Sequence, residues 1–275
     1  MIQRDPLYSI HASGLARALE RRELLLHFQP EVDARTGRLV CAEALVRWKH
    51  PERGLVPPMD FIPLAEETGL IVGIGDWVLR AACRQARAWL SATPPLRLRV
   101  AVNLSARQLG EDRFVQRVED ALDESGLDAA SLELEITESA VAREPARAAR
   151  TLAALRLMGV RLMIDDFGTG YSSLSQLKNF PVDGLKIDRA FVRHLPHDRS
   201  DATITRAVLA MAREMSLDVV AEGVEHDEQR AFLSRHGCGL LQGYLFGAPM
   251  PADRFRTLFG EAARAAAPRR APLSP

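Results

Sequence analysis

Along the chain the spacing of apolar positions switches repeatedly between a period of two and a period near three and a half, marking strands alternating with helices. Leu15, Ala18 and Leu19 share one helical face, which predicts a short amphipathic helix from Ser13 to Arg22, capped by Ser13 or by a polar residue just upstream. Leu24 to Pro30 reads as a strand. Asp33 to Gly37 forms a turn and Arg38 to Val46 a second strand, so the pair is expected to be an antiparallel hairpin. A proline-rich loop over His50 to Pro58 leads to a helix capped by Asp60, running to Glu67 and ended by Gly69, then to a longer helix from Ile74 to Leu90. Trp77 and Trp89 are expected to pack that helix against a sheet.

The same alternation continues to the end of the chain. Strands are expected over Leu96 to Leu104, Leu132 to Glu138, Leu162 to Ile164, Gly184 to Asp188, Leu217 to Ala221 and Gly239 to Tyr244. Helices are expected over Phe114 to Ser125 with Gly126 at its C-cap, and over Pro145 to Met158, stopped by Gly159. Three more should run from Ser200 or Asp201 to Ser216, from Asp227 to His236, and from Pro251 to Phe259. With no convincing linker between units, this is the rhythm of an α/β chain folded as a βα barrel whose first hairpin disturbs the usual order. A doubly wound sheet is the competing fold, but no glycine-rich phosphate fingerprint follows the first strand. Residues 1–12 read as an N-terminal extension, 13–260 as the folded domain and 261–275, rich in Ala, Arg and Pro, as a tail expected to be disordered.

Composition narrows the chemistry. Lys plus Arg and Asp plus Glu are both 36 among 275 residues, so zero net charge gives no general electrostatic case for duplex nucleic acid. Cys41, Cys83 and Cys238 make no CxxC pair, which points to a reducing, cytoplasmic setting rather than a disulfide scaffold or zinc ribbon. The first residues lack the basic and apolar regions of a signal peptide, and no apolar run approaches membrane-spanning length, so membrane insertion is not expected.

Polar groups that interrupt apolar strands are more informative. In Arg161 to Phe191 one strand stops at Asp165-Asp166 and the next carries Lys186 between Leu185 and Ile187. Adjacent carboxylates repel unless hydrogen bonds or cations neutralise them, and a lysine in a strand core needs a charged partner or a wet cavity. An ordinary Asp-Asp turn and an outward-reaching lysine would also satisfy the pattern. Glu43 lies in the apolar run Cys41 to Leu45, either as a ligand or in a salt bridge to Arg47 on the same side of the strand. Asn103 ends its strand as a candidate ligand or a loop tie. Glu133 and Glu135 share a strand face, which calls for a site or an ion pair.

Taken together, Glu43, Asn103, Glu135, Asp165, Asp166, Lys186, Glu222 and Gln242 lie at or near successive strand ends, where a barrel gathers scattered residues on one face. Oxygen donors with one amide suit Mg²⁺ or Mn²⁺ better than zinc. Two such ions about 4 Å apart would activate water and stabilise a transferring phosphoryl group. Lys186 would hold or polarise that water, and Arg47 would pair with a non-reacting phosphate.

In order along the chain stand Glu43-Ala44-Leu45, Asn103-Leu104-Ser105, Glu135-Ile136-Thr137-Glu138 and Asp165-Asp166-Phe167-Gly168-Thr169-Gly170. Lys186-Ile187-Asp188, Ala221-Glu222-Gly223-Val224-Glu225 and Gln242-Gly243-Tyr244 follow. With these motifs the chain resembles the EAL family of cyclic-di-GMP phosphodiesterases, from roughly Gly14 to Phe259. The resemblance implies a modified TIM (β/α)8 barrel with an antiparallel first strand, hydrolysing cyclic di-GMP to linear 5'-pGpG with two Mg²⁺ or Mn²⁺ ions. It assigns one ion to Glu43, Asn103, Glu135 and Asp165 and the other to Asp165, Asp166 and Glu222. Lys186 is implied to serve the nucleophilic water, with Glu222 as the alternative general base. Gln29, Leu45, Arg47 and Asp188 match substrate-contacting positions, Gln242 one that organises the metal-water shell, and Glu225 a supporting carboxylate.

The family also implies that Glu138 holds the loop Phe167 to Ser173, including Gly168, Thr169 and Gly170, in a ligand-responsive form. A homodimer through Leu174 to Phe191 is a further implication, as is control by a regulatory protein or sensory domain. Phe28 departs from a common tyrosine. A catalytically weak cyclic-di-GMP receptor acting through a protein partner is the alternative, and no missing metal ligand favours it.

Overall fold

A ten-residue strand, β1 (Leu24–Asp33), follows the short helix α1 (Ala12–Glu20) and turns back into β2 (Leu39–His50). The pairing is antiparallel, with Gln29 opposite Glu43 and Glu31 opposite Cys41. Both strands outrun the sequence expectation at their C-terminal ends, because the hairpin register continues past the short apolar runs. This computed structural model describes residues 12–93, 95–168, 178 and 180–266. The expected extension before residue 12, residues 267–275 of the expected tail, Thr169, Gly170 and the rest of the loop to Ser173 lie outside the described residues, as does part of the expected dimer segment; residues 261–266 of that tail are helical rather than disordered.

The chain continues through β3 (Gly54–Val56), α2 (Pro58–Thr68), α3 (Ile71–Leu90), β4 (Arg99–Leu104), α4 (Ala106–Leu109), α5 (Phe114–Ser125), β5 (Leu132–Thr137), α6 (Glu138–Arg143), α7 (Pro145–Leu157) and β6 (Arg161–Phe167). It ends with β7 (Gly184–Ile187), α8 (Arg189–Val192), α9 (Arg199–Glu214), β8 (Asp218–Ala221), α10 (Asp227–Arg235), β9 (Leu240–Gln242), β10 (Met250–Pro251) and α11 (Ala252–Ala266). From β2 through β4 to β9 every neighbouring barrel pair is parallel, while β1 pairs antiparallel with both β2 and β9 and so closes eight strands into a barrel. This is the expected modified TIM barrel. The small strands β3 and β10 extend β2 and β1.

Local chemistry explains most boundaries. Gly69 and Gly126 end α2 and α5 in the left-handed region, at φ +81° and +65°, as expected of C-cap glycines. Asp60 proves to be a first-turn residue, because Pro57 precedes a helix that already begins at Pro58. Asp198, rather than Ser200 or Asp201, caps α9: its Oδ1 accepts from the Ser200 and Asp201 amides at 2.8 Å each. Outside the barrel, Trp89 stacks on Phe255 at 5.0 Å and meets Phe28 edge-on at 4.8 Å, fastening α3 and α11 to β1. Trp77 is only partly buried against the same core. Phe28 therefore packs outward.

Candidate active site

Register places the polar strand ends at one height. Asn103 lies beside Glu135 and Thr137 beside Asp165, while Lys186 lies beside Val220, one step before the turn to Glu222. Between β6 and β7 the register slips by one residue after Ile164, and Asp166 takes a left-handed φ of +54°. This bulge breaks the strict alternation of a strand and lets Asp165 and Asp166 both serve the same end.

Lys186 is fully buried at the centre. Its Nζ is 2.6 Å from Glu222 Oε1, 2.8 Å from Glu135 Oε1 and 3.5 Å from Glu43 Oε2. Burial opposes its charge, yet Glu135, Glu222, Glu43 and Asp165 outweigh that and hold the ammonium well above the usual lysine range. The outward-reaching reading of Lys186 is thereby excluded. Glu43 accepts from Asn103 Nδ2 at 2.6 Å and from Gln242 Nε2 at 2.5 Å. Burial works against its ionised form, but Lys186 and these two amides keep its pKa below the ordinary value. Arg47 donates to the Val46 carbonyl at 2.9 Å, so the alternative of a Glu43–Arg47 salt bridge does not hold.

Burial dominates the remaining carboxylates. Burial pushes Glu222 up to about 8 and Asp166 to about 6, the latter aided by Asp165 and Asp188. Glu135 is raised well above the carboxylate range, again by burial first, with Lys186 only partly offsetting it. Among the described residues Glu43, Glu135, Asp165 and Glu222 gather on the Lys186 ammonium, and both carboxylate oxygens of Glu135 are buried without an aligned hydrogen bond. Hard oxygen donors in that state suit divalent cations of the Mg²⁺ or Mn²⁺ kind.

Beside this cluster, Gln29, Leu45 and Gln242 of the expected substrate contacts border a cavity, while Arg47 and Asp188 are not among its lining residues. A cavity of about 240 Å³ is lined by Gln29, Glu43, Leu45, Arg189, Glu222 and Tyr244, with Glu225 and Gln242 also on its wall. Leu45 also borders a larger cavity of about 730 Å³ that reaches Asn103, Met59 and Arg143. Gln29 donates to the Gly247 carbonyl at 3.2 Å and Glu225 accepts from Arg189 at 2.7 Å. Asp188 spends one oxygen capping α8, on the Ala190 amide at 2.8 Å. Glu138 accepts from the Gly168 amide at 3.0 Å, fastening the start of the glycine loop.

Residues 12–249 match the EAL domain family. The chain belongs to that family. Among its EAL relatives, the bifunctional diguanylate cyclase/cyclic di-GMP phosphodiesterase MucR of Pseudomonas aeruginosa is 50% identical over 240 residues, 87% of this chain and 35% of MucR. The cyclic di-GMP phosphodiesterase PdeR of Escherichia coli is 42% identical over 243 residues, 88% of this chain and 36% of PdeR. The chain thus spans about a third of the length of these curated relatives. A solved PaMucR phosphodiesterase in complex with c-di-GMP superposes with a TM-score of 0.84 at 50% identity, covering 88% of this chain and 98% of that one. The EAL enzyme Bd1971, in its cAMP and cyclic-di-GMP bound form, gives 0.86 at 33% identity, with 90% and 67% covered.

One layer below the EAL acids the barrel holds a second polar cluster that sequence reasoning did not assemble. Glu133 Oε2 accepts from Arg99 Nε at 3.0 Å and forms an ion pair with Arg161 Nε, also 3.0 Å away, so of the two acids sharing a strand face, Glu135 joins the upper cluster and Glu133 an ion-pair layer. Glu31, Cys41 and Glu133 place candidate metal-ligating atoms within 4.8 Å of one another, all fully buried. Continuing the two-residue period from Gln29 would have turned Glu31 inward. Among the described residues no helix is long and apolar enough to cross a membrane.

Proposed function

We infer that this EAL domain hydrolyses cyclic di-GMP to linear 5'-pGpG. The observation that carries the reading is the buried Lys186 ammonium held by Glu43, Glu135 and Glu222 at the carboxyl end of the barrel, in a chain half identical to a phosphodiesterase solved with this dinucleotide. Two divalent cations, Mg²⁺ or Mn²⁺, held by Glu43, Asn103, Glu135 and Asp165 and by Asp165, Asp166 and Glu222, would supply positive charge to the phosphoryl group and polarise water. Lys186 donates a hydrogen bond that fixes the attacking water. Glu222, in contact with the same ammonium, takes the proton as the water oxygen bonds to phosphorus. The bond from phosphorus to the ribose 3'-oxygen breaks and that oxygen takes up a proton from solvent, leaving a 5'-phosphate and a 3'-hydroxyl. Gln29 and Arg47 would hold the remainder of the ring, with Leu45 and Asp188 as further substrate contacts, while Gln242 keeps the Glu43 carboxylate oriented.

Incubation with cyclic di-GMP and Mg²⁺ or Mn²⁺, resolved by anion-exchange chromatography, should yield pGpG, and excess EDTA should stop its formation. Dinucleotide retained intact with either cation would refute hydrolysis and leave a receptor. Glu138→Ala frees the Gly168 amide from its carboxylate. Hydrogen exchange at that amide should quicken and kcat should fall about 10–100-fold, the usual cost of losing a group that orients a site. An unchanged kcat with faster exchange would confine Glu138 to anchoring the loop.

A further inference from the structure

We propose that Glu31, Cys41 and Glu133 form a separate divalent-cation site inside the barrel, of the zinc class and independent of the catalytic cations. Three strands build it: Glu31 and Cys41 are direct partners across the β1–β2 ladder, and Glu133 projects from β5. All three side chains are fully buried. Both oxygens of Glu31 and the Oε1 of Glu133 are without a hydrogen-bond partner. The other oxygen of Glu133 is already neutralised by Arg99 and Arg161, so that acid keeps one oxygen for a ligand. No side-chain cation lies within ion-pairing distance of Glu31 among the described residues. Gln242, opposite Glu31 across the β1–β9 ladder, contributes a further buried and unbonded Oε1.

The donor set decides the ion. A thiolate with carboxylate oxygens selects a borderline cation such as Zn²⁺ or Co²⁺ over Mg²⁺, which prefers oxygen and water. Donor atoms around tetrahedral zinc stand roughly 3.5 Å apart. The three atoms here lie within 4.8 Å of one another, so a small inward rotation of each side chain closes the site. Arg99 and Arg161 are partly exposed on the side away from the catalytic cluster, so the site lies one layer in from water. A cation there would tie the reversed strand β1 to β2 and β5.

Cobalt separates this site from the catalytic one, because a thiolate ligand gives Co²⁺ an intense near-ultraviolet charge-transfer band that carboxylate and amide ligands do not. EDTA-stripped protein titrated with Co²⁺ should show that band. It should persist in Asp165→Asn, which removes a catalytic ligand, and in Cys83→Ser and Cys238→Ser. It should disappear in Cys41→Ser, with circular dichroism checking the fold. Glu31→Gln keeps the thiol but should weaken Co²⁺ in chelator competition by at least about tenfold. A wild-type protein saturated with Co²⁺ but lacking the sulfur band, or a band that survives Cys41→Ser, would overturn the site whatever the hydrolytic activity.

Discussion

Replacing Lys186 with alanine is expected to lower the rate of cyclic-di-GMP hydrolysis by about 10²–10⁴-fold, the range associated with losing a group that handles a proton in the transition state. The same change removes the cation that Glu222, Glu135 and Glu43 surround at 2.6, 2.8 and 3.5 Å. Stripping one partner from a buried ionic cluster costs about 3–5 kcal/mol, because the remaining charges stay desolvated and uncompensated. Divalent cations can compensate them. The variant should therefore gain more thermal stability from added Mg²⁺ than the wild type does, while remaining inactive. Steady-state assays and unfolding curves with and without Mg²⁺ test both halves. Near-normal turnover would remove Lys186 from the chemistry; equal Mg²⁺ stabilisation of the two proteins would mean that the acids lose their charge by protonation instead.

Gly243→Ala should be the most damaging substitution that touches no charge. A methyl group at this position would stand 2.1 Å from the Val224 carbonyl oxygen and 2.3 Å from its amide nitrogen, both backbone atoms. Those strands are tied by hydrogen bonds from Val224 to the Gln242 carbonyl and from Leu245 to the Val224 carbonyl, so the loop cannot give way cheaply. Overpacking of this kind costs about 1–3 kcal/mol, and contacts to rigid backbone place this site at the upper end. The displacement would also reach Gln242, whose amide orients Glu43. Denaturant unfolding should show the lost stability, and the remaining folded fraction should have a reduced kcat. A variant with wild-type stability would show that the two loops separate without strain.

Much of this arrangement is written in periodicity. Apolar spacing and turn residues reveal the alternating strands and helices, and Gly69 and Gly126 mark two helix ends because a left-handed C-cap favours glycine. The motif order identifies the residues that the register brings to one end of the barrel. Periodicity says which face a side chain takes, but not how deep it lies. Glu133 and Glu135 are therefore alike in sequence, although one meets two arginines and the other Lys186. Glu31 escapes notice because the strand it belongs to runs on past Pro30, and its partner Cys41 lies in a different strand. Asp198 is missed as a cap because the apolar pattern of α9 begins later than its backbone does.

The reversal of β1 also decides where the chain joins the barrel. In an all-parallel barrel the first strand begins at the rim opposite the catalytic one; here Leu24 begins β1 beside Trp48, on the catalytic side. Helix α1 stays at that rim, with Gly14 close to Trp48 and Leu19 close to Gly73 at the start of α3. A force or rotation applied through Ala12 would be delivered to β2 and α3, which carry Glu43 and border the larger cavity, without crossing the body of the fold. Reversing one strand thus turns the amino-terminal connection into a handle on the mouth of the site.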